Sequence, residues 1–85
     1  SIPEGIREQT RVCLENVKRI VEEGGTSLDK VVKVNVFLTD MDNFAEMNKV
    51  YRTYFPKEPP TRTAVEVSAL PRPEFLIEIE AIALL

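Results

Sequence analysis

Three charged side chains near the C-terminus could bind and activate a small ligand together. Arg62 lies in one segment of alternating polar and apolar residues, and Glu78 and Glu80 lie in another. An arginine guanidinium presents a rigid fork of donors that matches a carboxylate at two points and keeps its charge. A partly buried carboxylate can orient a water molecule and accept its proton. These residue types suit attack by water on a small acid, although the same three could equally be solvated charges on the surface of a sheet.

Alternation with a period of two predicts that both segments are β-strands. Residues 62–67 form the first strand and residues 75–83 the second. The intervening Pro71 and Pro73 cannot donate ladder hydrogen bonds, so they fall in a turn. We therefore predict an antiparallel hairpin whose aliphatic face meets the core. The predicted opposite face carries Arg62, Ala64, Glu66, Glu78, Glu80 and Ile82.

Two amphipathic segments predict helices that support these strands. The first begins near Pro3, which fits a first helical turn, and ends at Gly24 and Gly25. Its apolar face comprises Ile6, Thr10, Cys13, Leu14, Val17, Ile20 and Val21. The second helix follows residues 39–43, which we interpret as a strand exit and helix N-cap rather than as metal ligands. Its apolar face, assigned to the core or an interface, comprises Phe44, Met47, Val50, Tyr51, Tyr54 and Phe55.

Between the helices, the apolar run from Val31 to Leu38 predicts a central strand. We expect Val32, Val34, Val36 and Leu38 to face one way and Val31 to face the other. The order helix, strand, helix, strand, strand makes the middle three elements a crossover that joins parallel strands. Both helices should cover one face of a mixed sheet, which gives a two-layer α+β domain.

Length and composition narrow the possible functions. The 85 residues make one domain, residues 1–85, and their net charge of −3 argues against a dedicated nucleic-acid binder. No apolar run is long enough to span a bilayer. With no histidine and a single cysteine, the chain allows no internal disulfide, and a metal site is not expected. That cysteine, Cys13, is predicted to be a small buried apolar side chain, because the sequence offers nothing to activate it.

The C-terminal strands resemble the signature of the Rid (YjgF-like) family, the reactive-intermediate imine deaminases. The resemblance rests on residues 62–67, on Leu70-Pro71 and on residues 77–83, and on their spacing. The family's first helix, next strand and second helix are similar to residues 3–17, 32–40 and 44–55. The family has a chorismate-mutase-like trimeric fold, and its members carry a further N-terminal segment with a Gly-Pro-Tyr sequence. The resemblance therefore implies a homotrimer and a chain truncated at its N-terminus.

The resemblance also implies hydrolytic deamination of 2-imino and 2-enamino acids, such as 2-iminobutanoate and 2-iminopropanoate, to 2-keto acids and ammonia. The matching Arg62 would bind the substrate carboxylate, and the matching Glu78 would act catalytically through water. Asn48 and Ala64 would line the substrate pocket, with Ala64 standing where many members have a cysteine. Such a reaction needs no metal and no redox cofactor. Because Ala64 has no thiol, the reaction in this chain cannot depend on a cysteine at that position.

The predicted hairpin separates Arg62 from Glu78 by roughly 13 Å along the ladder, too far for a direct pair. We therefore expect a neighbouring subunit to complete the pocket. A different class of function also fits: a non-catalytic small-carboxylate-binding, regulatory or chaperone-like oligomer on the same fold. Nuclease activity on RNA is attached to the family as well, but no basic face supports it. We expect a cytoplasmic protein that binds neither nucleic acid nor membrane, with a mitochondrial location also open.

Overall fold

The computed structural model describes residues 3–85, in which three strands are covered by two helices. The helices are α1, Ile6–Glu23, and α2, Phe44–Tyr54, and the strands are β1, Val31–Leu38, β2, Thr61–Glu66, and β3, Ile77–Ala83. Short 3₁₀ turns at Leu28–Lys30 and Met41–Asn43 precede β1 and α2. These elements confirm the predicted α+β class and the predicted order of helices and strands. No helix between residues 3 and 85 has the length and apolar character needed to cross a membrane.

The end of α1 is fixed by its two glycines, as the sequence predicts. Gly25 has a φ of 90°, a conformation that glycine adopts without strain. This turn lets the N–H of Thr26 donate to the carbonyl of Val21 at 2.9 Å and the N–H of Gly25 donate to that of Glu22 at 3.1 Å. The two bonds satisfy carbonyls that the helix leaves unpaired at its C-terminus, in a Schellman arrangement.

The sheet order is β2-β1-β3, so β1 is the central strand. β1 pairs with β2 in parallel and with β3 antiparallel. The predictions of a central first strand and of parallel pairing with the second are therefore confirmed, whereas the predicted hairpin between the last two strands is wrong. The connection through residues 67–76 is long enough to pass the end of β1 and places the apolar β1 between both neighbours. Burial in the middle of the sheet suits a strand with almost no charge.

The predicted faces of β1 and β2 also change. In β1, a shift of register between Val31 and Lys33 makes Val32 an extra, exposed residue and turns Val31 into the core. In β2, Arg62 pairs with Val34 and therefore lies on the face that the helices cover, not on the open face with the glutamates of β3. Alternation alone located the strand but could not say which of its faces meets the helices.

The core lies between the sheet and the helices. Its fully buried side chains come from α1, β1 and α2, and include Thr10, Leu14, Val34, Val36, Leu38 and Met47. The apolar face predicted for α2 is confirmed as core, since Val50, Tyr51 and Phe55 are buried and Phe44 and Tyr54 pack against the buried cluster. Asp40 caps the turn before α2, as predicted, by accepting a hydrogen bond from the N–H of Asp42 at 2.9 Å.

One buried polar side chain ties α1 to the segment that leads into β3. Gln9 is 6% exposed, and its Nε2 donates to the carbonyls of Pro3 and Glu74, both at 2.9 Å. Its Oε1 accepts a hydrogen bond from the N–H of Leu76 at 2.7 Å. Because Leu76 immediately precedes β3, Gln9 fixes the start of that strand and thereby the position of Glu78.

Replacing Gln9 with Leu should destabilise the fold by about 1–3 kcal/mol, because a backbone donor and two carbonyls in a partly buried site lose their partners. That is a large part of the ~5–15 kcal/mol that stabilises a typical domain. The free energy of unfolding in urea measures the effect. Asn16→Leu is the matched control, since Asn16 is exposed on the same helix and its change should stay within about 0.5 kcal/mol. Equal midpoints for the two variants would contradict the role given to Gln9.

Candidate functional site

Arg62 projects from the middle of β2 onto the side of α2. Its guanidinium carbon lies 4.6 Å from the centre of the Tyr51 ring and 5.1 Å from that of Phe44. Its Nη1 donates a hydrogen bond to Asn48 Oδ1. Asn48 and Tyr51 are three residues apart on α2, so they present adjacent side chains to the same guanidinium. Cation–π contact and the amide hydrogen bond fix the orientation of the fork.

These residues open into a cleft of about 450 Å³ between the end of α2 and β2. Arg52, Lys57 and Arg62 contribute three cationic side chains to its lining, with Asn48 and Tyr51 as the polar neutral groups. The rest of the lining is apolar and consists of Phe55, Pro56 and Pro59. Arg62 is only partly exposed there, and its Nη2 and Nε have no hydrogen-bond partner among residues 3–85. The cleft is therefore equipped to bind an anion through the unoccupied edge of the Arg62 fork.

The hydroxyl of Tyr51, a residue that lines this cleft, is buried. The residue is 3% exposed, and its hydroxyl has no hydrogen-bond partner within residues 3–85. Burial raises the pKa of Tyr51 above its ordinary value, and the nearby Arg62 charge partly opposes that rise. The tyrosine is therefore neutral across the physiological range, and its face supports the cation.

Ala64 lies two residues after Arg62 and on the same side of β2. It pairs with the buried Val36, is half-buried and packs against the core. Its methyl group has no acid–base chemistry, so its part in a pocket is limited to shape. The structure thus groups Arg62, Asn48 and Ala64 on the helix side of the sheet.

Glu78 is not brought to Arg62 within this chain. It pairs with Phe37 of β1, whereas Arg62 pairs with Val34. Two strand spacings and an offset of three residues separate their backbones by roughly 14 Å, and the side chains point to opposite faces. The prediction that the two cannot pair directly is confirmed, but the reason is a strand between them rather than an offset along a hairpin.

The two glutamates of β3 differ in their surroundings on the open face. Glu80 Oε1 accepts a hydrogen bond from Asn35 Nδ2 at 2.9 Å, which follows from their pairing across β1 and β3. Glu78 is exposed and has no side-chain hydrogen bond within residues 3–85. Of the two carboxylates, Glu78 is the one left available to a ligand or to water.

Glu78 also borders a second groove, of about 320 Å³, between α1 and the outer edge of β3. Cys13 lies in this groove, half-buried, with its Sγ 3.9 Å from the carbonyl of Ile77. Burial raises the pKa of the Cys13 thiol, and the carboxylate of Glu78 raises it further. The thiol is therefore protonated at neutral pH, which agrees with its predicted role as a packing residue.

Sequence reasoning missed the aromatic support of Arg62 and the two other cations of the cleft. It assigned Tyr51 and Phe44 to the core by helical periodicity, which is correct but incomplete. The spacing of Asn48, Tyr51 and Arg52 on one helix was the available signal. It could not be used, because the register of β2 against β1 decides whether Arg62 faces that helix.

Several solved structures share this two-layer fold. The model of the family described as "Endoribonuclease L-PSP" matches residues 1–85. The solved structure of the YjgF gene product of Escherichia coli superposes with a TM-score of 0.92 at 41% identity, over 98% of this chain and 67% of that one. The chain belongs to this YjgF-like, L-PSP family, which confirms the resemblance drawn from the C-terminal strands.

Relatives within the family carry several names. "RutC family protein PH0854" of Pyrococcus horikoshii is 58% identical over 78 residues, which are 92% of this chain and 61% of the relative. "Putative reactive intermediate deaminase TdcF" of Escherichia coli is 44% identical over 85 residues, 96% of this chain and 65% of the relative. A crystal structure of Escherichia coli TdcF with bound serine has a TM-score of 0.92 at 43% identity, over 98% of this chain and 67% of that one. The chain thus spans a little under two thirds of the length of these two curated relatives.

Proposed function

We propose that this protein hydrolyses small reactive 2-imino acids, such as 2-iminobutanoate and 2-iminopropanoate, to 2-keto acids and ammonia. The observation that carries the proposal is the oriented Arg62 fork, which lines the cleft and whose Nη2 and Nε have no hydrogen-bond partner within residues 3–85. The family and the names of its members support a reactive-intermediate deaminase or an endoribonuclease-like activity. The serine bound to a TdcF structure supports a site that accepts a small amino-acid-like molecule.

The reaction can be assigned to side chains of this chain. Arg62 would hold the substrate carboxylate through two charge-assisted hydrogen bonds while Asn48 and the two aromatic rings keep the fork in place. Glu78 would orient a water molecule and accept its proton as the water oxygen bonds to the imine carbon. As the water adds, the C=N bond opens and the imine nitrogen takes a proton from solvent, which gives a carbinolamine. Glu78 then returns its proton to the amine nitrogen, and ammonia leaves as the hydroxyl gives its proton back to Glu78 and the C=O bond of the 2-keto acid forms. In this scheme Ala64 and Asn48 line the pocket.

Because Arg62 and Glu78 lie on opposite faces of one sheet, the proposal requires more than one copy of the chain. We propose a homotrimer in which the Arg62 cleft of one subunit meets Glu78 of its neighbour. Closed cyclic symmetry would repeat this site at each interface. The exposed side chains of the open face, including Val65 at 39% and Ile82 at 59%, supply apolar surface for such contact.

The deaminase proposal is tested by generating the imine in situ with an amino-acid oxidase and trapping it with semicarbazide. An active protein should reduce the yield of semicarbazone and speed the release of ammonia and keto acid. The native gene product is used, and the trapping rate without protein is the baseline. A trapping rate equal to that baseline would contradict the deaminase activity and favour the alternative function, a non-catalytic carboxylate-binding module.

The family description also requires a test on RNA. Cleavage of single-stranded RNA by the same preparation, absent from an Arg62→Ala variant, would favour the endoribonuclease. We expect no cleavage, because the chain has a net charge of −3 and binding to many phosphates needs an extended basic surface.

The trimer should be visible by sedimentation equilibrium at micromolar concentration as a mass near three times that of the native product. Replacing Val65 with Lys should shift the population toward monomer, because a desolvated ammonium opposes close packing of the open face. Met41→Lys is the control, since Met41 is 37% exposed in the turn before α2 and lines neither the Arg62 cleft nor the groove beside Glu78. A stable wild-type monomer would contradict the shared site.

A further inference from the structure

The charge of the Arg62 cleft differs in sign from that of the whole chain. The sequence carries 14 acidic and 11 basic residues, yet the cleft is lined by three cations, Arg52, Lys57 and Arg62, and by no carboxylate. None of the three forms an ion pair within residues 3–85, so their charges are left to a ligand or to solvent. The α-carboxylate of a 2-imino acid would pair with one of these three cations, which leaves the other two for a second anionic group.

The positions of the cations suit a second anionic group on the same ligand. Arg52 follows Asn48 by four residues on α2, so the two side chains are neighbours on one helix face, about 5–6 Å apart at Cβ. Asn48 in turn holds the Arg62 fork. A ligand bound at Arg62 therefore has a second cation one helical turn away, and Lys57 closes the same cleft from the loop after α2.

We propose that the cleft selects imino acids with an acidic side chain, that is, small dicarboxylates such as 2-iminosuccinate, over those with an aliphatic side chain. This inference rests on the proposed function and deepens it by naming the substrate class. Arg62 binds the α-carboxylate, and Arg52 with Lys57 binds the side-chain carboxylate. Two separated cations favour a dianion over a monoanion of similar size, and the preference is electrostatic in origin.

The experiment compares kcat/KM for 2-iminosuccinate, generated from aspartate by its oxidase, with kcat/KM for 2-iminopropanoate, generated from alanine. The wild-type ratio should favour the dicarboxylate. Arg52→Gln and Lys57→Gln should each lower that ratio by about 3- to 10-fold, because loss of a cation weakens binding of the dicarboxylate more than binding of the monocarboxylate. Lys49→Gln is the matched control, because Lys49 lies on the same helix but pairs with Glu46 outside the cleft, and it should leave the ratio unchanged.

Binding of stable keto acids gives a readout that does not depend on catalysis. In calorimetry, 2-oxoglutarate should bind more tightly than 2-oxobutanoate, and added salt should reduce the difference, because Arg52 and Lys57 are exposed. If neither imine is hydrolysed, the proposed function fails. The difference in affinity between the two keto acids then tests by itself whether the cleft favours dicarboxylates. If both imines are hydrolysed at equal kcat/KM and both keto acids bind equally, the selectivity is overturned while the deaminase stands.

Discussion

Arg62→Lys should lower kcat/KM for 2-imino acids by about 10- to 150-fold. Lysine keeps the charge but not the planar fork, so one of two charge-assisted hydrogen bonds to the substrate is lost at a cost of ~1.5–3 kcal/mol. Each ~1.4 kcal/mol corresponds to a factor of ten in rate. Lysine also cannot lie flat against the Tyr51 and Phe44 rings, which leaves the remaining contact less well oriented. Arg62→Ala should cost more, and mainly through KM.

The measurement is steady-state trapping with semicarbazide on variants that are confirmed to be folded by circular dichroism. Arg72→Lys makes the same chemical change at an exposed arginine that pairs with Glu74 in the loop before β3. That control should retain wild-type kcat/KM. If Arg62→Ala hydrolysed imines as fast as wild type, Arg62 would be a structural cation on an aromatic surface and its carboxylate-binding role would be contradicted.

The individual elements of this fold follow from the sequence, but their arrangement does not. Apolar spacing and the Gly24-Gly25 pair locate α1 and its end, and the apolar run of β1 indicates a central strand. These are local signals. Which strand neighbours β1 on either side depends on contacts between residues far apart in the chain, and period-two alternation is the same for a hairpin and for two separated strands.

The face of β2 shows the same limit at the candidate site. Thr63, Val65 and Val67 look like the core side of the strand, and the charged alternation of Arg62 and Glu66 looks like the solvent side. The structure reverses them because Arg62 has aromatic surfaces to lie on and Glu66 accepts a hydrogen bond from the N–H of Met41 at 2.7 Å. Polar residues occupy the helix side where they find partners, which simple burial rules do not anticipate.

Glu78→Gln should lower kcat by about 100- to 10,000-fold with little change in KM. The amide keeps the size of the side chain but cannot accept a proton from water, and general base catalysis contributes on that order. Glu80→Gln is the matched control one strand repeat away, and it should be close to wild type because Glu80 is already bonded to Asn35. A silent Glu78→Gln together with an impaired Glu80→Gln would keep the deaminase but move the base by two residues along β3.

Trimers assembled from a mixture of Arg62→Ala and Glu78→Gln subunits test whether the site forms between subunits or within one chain. If Arg62 of one subunit works with Glu78 of the next, co-refolding Arg62→Ala with Glu78→Gln should restore activity that neither variant has alone. Random assembly of equal amounts into a cyclic trimer gives each interface a one-in-four chance of combining the two intact residues, so recovery should approach about a quarter of wild type. The separation of roughly 14 Å across the sheet, with side chains on opposite faces, predicts this recovery. Without recovery, Arg62 and Glu78 would have to serve one site within a single chain, which the strand order β2-β1-β3 opposes.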